Sequence, residues 1–336
     1  MDFIMKTKSL IPEFLKVKVR KFRFFMTCKE CYRYDAERFL KYSNAFYQFD
    51  NSEKLIGVIV AEYHVIEKGL TMPEPRLGFG FEIMKALIKH CNLYSTQICD
   101  SNSEHFFHAI SVIAEYKLFH DNNNFPLDEA LFRSIDDILS KFGKAIPSMQ
   151  ISMTKEYYFK NIYSSFEDFS NSRHSLRNFS GSVELLLIEQ AVKLAQNAPS
   201  ACNRQPSRVY IIQNKNLINQ ILAIQNGNRG FGHLADKLII LTAELGGYLS
   251  LRERNDVYIN GGIYAMNLLY ALHYYQIGAC SLNWCSMPDQ DIELRKICDI
   301  KPSENILLMI ACGRVPGKFQ LTVSHRNSYK NILAIR

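Results

Sequence analysis

From Val257 to Pro288 the chain carries no charged residue. A stretch of that length can cross a bilayer, so it restricts the possible folds more sharply than any other segment. It nevertheless contains Asn260, Gly261, Gly262, Asn267, His273, Gln276 and Asn283, and its periodicity breaks at Gly278. We read it as a buried apolar helix, Ile263 to Tyr275, followed by a buried strand, Ala279 to Trp284, with a membrane span as the alternative. Surrounding such a helix takes a sizeable core. A chain of 336 residues at 47% hydrophobic and 22% charged can supply one.

Around this stretch, helical and strand signals mix without a regular βαβ alternation, which indicates an α+β fold. Ser182 is the expected N-cap, with Glu184 in the first turn, of a helix running to about Asn197. Leu187, Ala191, Leu194, Ala195 and Ala198 form its apolar stripe, and Pro199 ends it. Short β-branched runs at Val209–Ile212, Lys237–Thr242 and Ile306–Cys312 read as strands. A helix and the glycine-rich segment Gln225–Gly232 separate the first two.

The first half reads differently. From about Asp35 to Tyr163 the periodicity is mostly helical, with helices expected over Glu53–Glu67, Gly80–Asn92, Glu104–Leu118 and Pro126–Phe142. In the second of these Ile83, Ala86 and Leu87 should face inward, and in the fourth a proline should occupy the first turn. Tyr163–Ser172 is polar and aperiodic, and so is the best candidate for a linker. The expected division is therefore a helix-rich region, 1–165, followed by a second domain, 166–336.

Charge is concentrated at one end. Residues 1–29 hold Lys6, Lys8, Lys16, Lys18, Arg20, Lys21, Arg23 and Lys29 against Asp2 and Glu13, which accounts for nearly all of the net charge of +7. The rest is close to neutral, which argues against nucleic-acid binding. Residues 1–29 suit a peripheral membrane surface or an acidic partner, or else form a solvated arm. Nine cysteines at irregular spacing, and an opening apolar run too short for a secretory leader, indicate a reducing, cytoplasmic setting. Cys28-x-x-Cys31 has no second such pair, and a structural zinc wants four ligands, so no metal is expected.

Two motifs carry the chemistry. Arg173, His174, Ser175 and Arg177 crowd anion-binding donors into a few residues. Pro199, Ser200, Ala201, Asn203 and Gln205 form a small, polar, proline-bounded loop that a flat ligand can approach. A third feature is His64–Gly80. Its His64 and Glu67 share a helix face, as paired metal ligands or as an ion pair, and its Arg76 and glycines form a loop able to lean over a ligand.

The order Arg-His-Ser-x-Arg-x-Phe, a helix, then Ala-Pro-Ser-x-x-Asn-x-Gln-Pro resembles the nitroreductase family of flavin enzymes. The likeness continues through Gly261–Leu269, Ile277–Asn283, Ile310–Arg314 and Arg326, from about residue 170 onward. It implies a mainly antiparallel sheet flanked by helices, FMN as cofactor, NADH or NADPH as donor, and a homodimer with FMN at the interface. Its residue matches assign Arg173, His174, Ser175 and Arg177 to the phosphate and ribityl chain. Pro199, Ser200, Ala201, Asn203 and Gln205 match the loop along the ring, often supplied by the partner subunit. Ser281, Leu282 and Asn283 match the stretch under the ring, and Arg326 a late basic residue returning to the phosphate. Arg204 or the amides near Ser281–Asn283 are candidates to face the N1/O2 edge of the ring. The expected activity is ping-pong hydride transfer to an electron-poor small-molecule acceptor. The alternative is a flavin-bearing or vestigial binding protein whose helical half recruits a partner or a membrane surface. Three departures stand out: Ser324 where a second late basic residue is usual, Ser207 where a tryptophan is usual, and a shortened segment between Gln205 and Ala235 where many relatives carry a lid.

Overall fold

A computed structural model describes residues 12–46, 49–97, 104–143 and 146–336; Lys6, Lys8 and the rest of the first eleven residues lie outside them. The first part is helical: α1 (Glu13–Tyr42), α2 (Ser52–Leu70), α3 (Phe81–Gln97), α4 (Glu104–Asn122) and α5 (Glu129–Lys141). Asn51 caps α2 by accepting from the Lys54 amide, and Asp128 caps α5 by accepting from Leu131. The α5 cap moves the helix start past Pro126, which lies outside the first turn. Helix α3 buries Met84, Leu87, Ile88 and Cys91, whereas Ile83 and Ala86 are only half-buried. These faces, with Leu55, Ile59, Ile66 and Ile113, make one apolar core. Helix α1 has no buried residue, and its clearest tie to the body is Asp35 with Arg254, at 2.7 and 2.9 Å.

The remainder is an α+β layer structure. In chain order it comprises β1 (Ile151–Thr154), α6 (Phe166–Ser172), α7 (Leu185–Ala195), β2 (Ser207–Ile212), α8 (Lys215–Ile224), β3 (Lys237–Glu244), α9 (Asp256–Tyr274), β4 (Gly278–Asn283), α10 (Pro288–Cys298), β5 (Glu304–Gly313) and β6 (Lys318–Leu321). Strands run β2-β3-β5-β4, antiparallel throughout, and β1 pairs with β6 as a separate ribbon. Strand β3 reads as a continuous apolar run because it is covered on both faces. Its Leu238, Ile239, Ile240 and Leu241 are fully buried, each worth roughly 1.5–3 kcal/mol of transfer free energy. One face packs on α7 and α9, the other on α8, α10 and the Tyr158–Ile162 turn. Gly261 lets α9 approach the sheet, since a Cβ there would sit 2.1 Å from Leu307 Cδ1.

Several sequence expectations need correction. Tyr163–Ser172 is not a free linker: Ser165 caps α6, and Phe166 and Phe169 pack on Tyr270, a tertiary stabilisation that leaves no local period. Ser182 does not cap α7. Glu184 holds that position without a side-chain bond, while Ser182 and the Val183 amide both reach Asp236. The buried stripe of α7 is Ile188, Ala191 and Ala195, with Leu194 exposed. Helix α9 starts at Asp256, seven positions before the expected Ile263, and it is only half covered. Tyr258, Ile259 and Ile263 are exposed. No helix among the described residues is long and apolar enough to cross a membrane.

The helical part docks on the sheet part through named contacts. Met72, just after α2, packs into the sheet-side core, and Gly230 (φ +86°) leaves room for its sulfur. Glu115 accepts from the Gln150 amide at 2.9 Å, and the Gln150 side chain in turn accepts from Val323 N–H at 3.0 Å. His325 stacks on His108, with ring centroids 5.3 Å apart.

Candidate functional site

Residues 173–179 run extended from the end of α6 along the free edge of β4. The Leu176 amide donates to Ala279 O at 2.9 Å, and Tyr158 Oη donates to His174 O at 2.7 Å. Leu176 and Phe179 are anchored in the core. An extended chain alternates its side chains, so Arg173, Ser175 and Arg177 share one side. That side faces Cys280. Burial raises the Cys280 thiol pKa, against the pull of Arg177, Lys68, Arg173 and a hydrogen bond with Ser175.

Arg177 Nη1 reaches Thr322 Oγ1 and Nη2 reaches His64 Nε2, both at 3.4 Å. Thr322 in turn pairs with Ser324 at 2.8 Å. Since the guanidinium can only donate, His64 must accept at Nε2 and carry its proton on Nδ1, which points to Glu67 at 3.3 Å. Glu67 is fully buried and also accepts from His108 at 2.8 Å. Burial would raise its pKa, but the hydrogen bonds from His108 and then His64 outweigh this and hold it at about 2. The pair His64–Glu67 is thus a hydrogen-bonded strut under Arg177, half-buried at His64 and fully buried at Glu67. Among the described residues no group of three or more His, Cys, Asp or Glu side chains is placed to hold a metal.

The cations themselves lack anions. Among the described residues no carboxylate lies within salt-bridge distance of Lys68, Arg173, Arg177 or Arg326. Arg173 Nε is buried with no partner at all. Arg326 is exposed, yet its charge reaches His174. A half-buried cluster of positive charge with an orphaned donor has the charge and the free hydrogen-bonding capacity that an anion can satisfy.

Two histidines at this corner are held neutral. Burial, then Arg173 and then Arg326 lower the His174 pKa, and burial, Arg173 and His174 bring His273 down to about 4. A histidine whose folded pKa lies below its unfolded value stabilises fully above the unfolded pKa and loses that contribution as pH falls toward the folded one. The unfolding midpoint in urea should therefore drop between pH 6.5 and 4, with roughly 3 kcal/mol from His273 at 1.36 kcal/mol per unit. A flat profile over that window would contradict a buried neutral His273.

The second motif is prepared but distant. Cys202, Asn203 and Gln205 all take positive φ, 50°, 55° and 49°, an unusual run for non-glycine residues. Ser200 Oγ accepts from the Gln205 amide at 2.9 Å, and the Ala201 amide donates to Asn260 Oδ1 at 3.0 Å. Arg204 spends three of its five N–H donors inside the chain, on Ala201 O, Gly247 O and Glu253 Oε1 at 3.0, 2.8 and 2.5 Å, and so staples this loop.

Register fixes the distance between the motifs. Ala279 pairs with Cys312 and Cys312 with Lys237, so the cationic cluster lies at the Lys237 end of the sheet, on the β4 edge. Ser207 pairs with Ala243, so the Pro199–Gln205 loop lies at the opposite end, on the β2 edge. Lys237 and Ala243 are about 20 Å apart along β3 at roughly 3.3 Å per residue. The two walls are therefore not brought together within one chain. On β4, Ser281 and Asn283 are exposed on either side of buried Leu282, on the strand whose edge the 173–179 segment follows. A cavity of about 580 Å³ opens at its far end beside Asn283, Trp284 and Tyr258. A larger one, about 750 Å³, lies between α1 and α2, lined by Tyr42, Lys54, Val58 and Glu62, away from these groups.

Fold and site define an α+β protein with a corner of unpaired positive charge on a sheet edge and a hydrogen-bonded loop at the opposite edge. Residues 171–229, which include both motifs, match the nitroreductase family. Among solved structures the chain is similar to a nitroreductase family protein of Streptococcus pneumoniae, at 19% identity and TM-score 0.46, over 51% of this chain and 100% of that one. It is also similar to a nitroreductase-like protein of Streptococcus mutans, at 19% identity and TM-score 0.43, over 51% and 98%. Both likenesses span about half of this chain. No curated protein matches its sequence.

The residue that sequence reasoning missed is Lys68. Its signal was present in the His64–Gly80 segment, but nothing local linked that segment to Arg177.

Proposed function

We propose that this protein is an FMN-dependent oxidoreductase that takes hydride from NADH or NADPH and delivers it to an electron-poor small molecule by ping-pong turnover. The observation that carries the reading is the anion-free cluster of Arg173, Arg177 and Arg326, with the buried Arg173 Nε unpartnered. A phosphate monoester supplies the missing charge and acceptor atoms, and residues 171–229 match a family of flavin enzymes. When bound, FMN supplies the hydride chemistry.

The chain's own residues bind and orient. Arg173, His174, Ser175 and Arg177 hold the phosphate and ribityl chain, and Arg326 closes over them. Ser281, Leu282 and Asn283 run beneath the ring. Pro199, Ser200, Ala201, Asn203 and Gln205 cover it from a second copy of the chain. The loop's distance from the cations supports that sharing, as does its place against α9, whose Tyr258, Ile259 and Ile263 are exposed. The helical part, α1 to α5, buttresses the corner through His64 and Glu67.

The test is spectroscopic. Purified full-length protein, or protein given FMN and desalted, should show a flavin spectrum that NADH or NADPH bleaches without oxygen. Flavin that stays bound but resists both donors would favour a non-catalytic flavoprotein, and no retained flavin would sink the reading.

A further inference from the structure

We propose that Lys68, at the end of α2, is a phosphate ligand of the flavin site, so that the helical part supplies a binding residue and not only a support. The inference rests on the FMN reading above.

Three observations converge on it. His64 and Lys68 are four residues apart on one helix and so share a face, and His64 touches Arg177 at 3.4 Å. Lys68 is half-buried, yet its ammonium has no hydrogen bond or ion pair among the described residues. The neighbouring carboxylate, Glu67, points elsewhere, to His64 and His108. A half-buried lysine ammonium is commonly neutralised by a carboxylate. This one is instead set beside another cation: burial first, then Arg177, lowers its pKa, while Cys280 acts the other way. Cys280 is also the thiol that Arg173, Ser175 and Arg177 surround. Holding Lys68 and Arg177 together costs energy unless an anion lies between them. A phosphate oxygen is such an acceptor, with the ammonium acting as a point charge and the guanidinium as a fork.

The experiment measures dissociation constants of the full-length protein for FMN and for riboflavin, which lacks the phosphate, by quenching of flavin fluorescence. The variants are Lys68→Gln, Lys68→Arg and Arg177→Ala, each checked by circular dichroism. Lys68→Gln should weaken FMN about tenfold and leave riboflavin unchanged. Lys68→Arg should retain most of the FMN affinity. If Arg177→Ala weakens FMN while Lys68→Gln does not, the assignment of Lys68 is wrong and the FMN reading stands. If the parent protein binds no FMN, both fall. If Lys68→Gln spares FMN but weakens NADPH relative to NADH, the lysine serves the nicotinamide's phosphate and the assignment is overturned.

Discussion

Arg173→Ala is expected to weaken FMN binding roughly 10- to 100-fold, the loss of a charge-assisted hydrogen bond to phosphate. The flavin-free protein should not lose stability in the same step. Arg173 Nε is buried and unsatisfied, and its charge adds to burial in lowering the pKa of His174 and His273. Removing the side chain deletes the orphaned donor and one unpaired positive charge from the cluster; the two histidines are already neutral at pH 7.5. Urea midpoints of the flavin-free variant at pH 7.5 should therefore equal or exceed those of the parent, while flavin fluorescence titration shows the weaker binding. An arginine that served only the fold would give the opposite pattern, with lower stability and unchanged FMN affinity.

The second large effect is recovery by mixing. Arg173→Ala damages the phosphate wall, and Ala201→Trp places bulk in the loop assigned to the ring. If each site takes its phosphate wall from one chain and its loop from the other, a mixed dimer has one site with both walls intact and one with neither. Random exchange of subunits makes about half of the dimers mixed, so about a quarter of the sites should recover high-affinity FMN binding. The physical basis is the register, which holds Ala279 and Lys237 at one end of the sheet and Ser207 and Ala243 at the other. Mixed dimers seen by native mass spectrometry without recovered binding would place both walls within one chain.

Sequence reading succeeded where the physics is local. The uncharged run from Val257 to Pro288 did become a helix and a strand, because polar residues and Gly278 interrupt it at a fixed point. Helix α9 nevertheless starts earlier and exposes Tyr258, Ile259 and Ile263, since hydrophobicity cannot distinguish a face meant for a core from one left open by a single chain. Short strands β1 and β6 were missed because each is only four residues long and is held by the other across most of the second half. Helix α6 was misread for a related reason: its aromatic contacts come from α9. At the site, the clustering of Arg173, Ser175 and Arg177 was legible, but their alignment on one side of an extended segment depends on the hydrogen bond from Leu176 to Ala279. Arg204 looked wholly free in sequence, whereas Glu253, in a turn further along the chain, pairs with one of its nitrogens. Lys68 and the strut of His64 and Glu67 could not be connected to Arg177 by any local rule, because only the tertiary fold sets α2 against the 173–179 segment.

The most direct measurement of the central claim is an equilibrium titration of the full-length protein with FMN, with riboflavin as the comparison ligand. The account predicts saturation at about one FMN per chain and binding of riboflavin weaker by at least about tenfold, because the cationic corner recognises the phosphate. No FMN binding, or equal affinity for the two flavins, would contradict it.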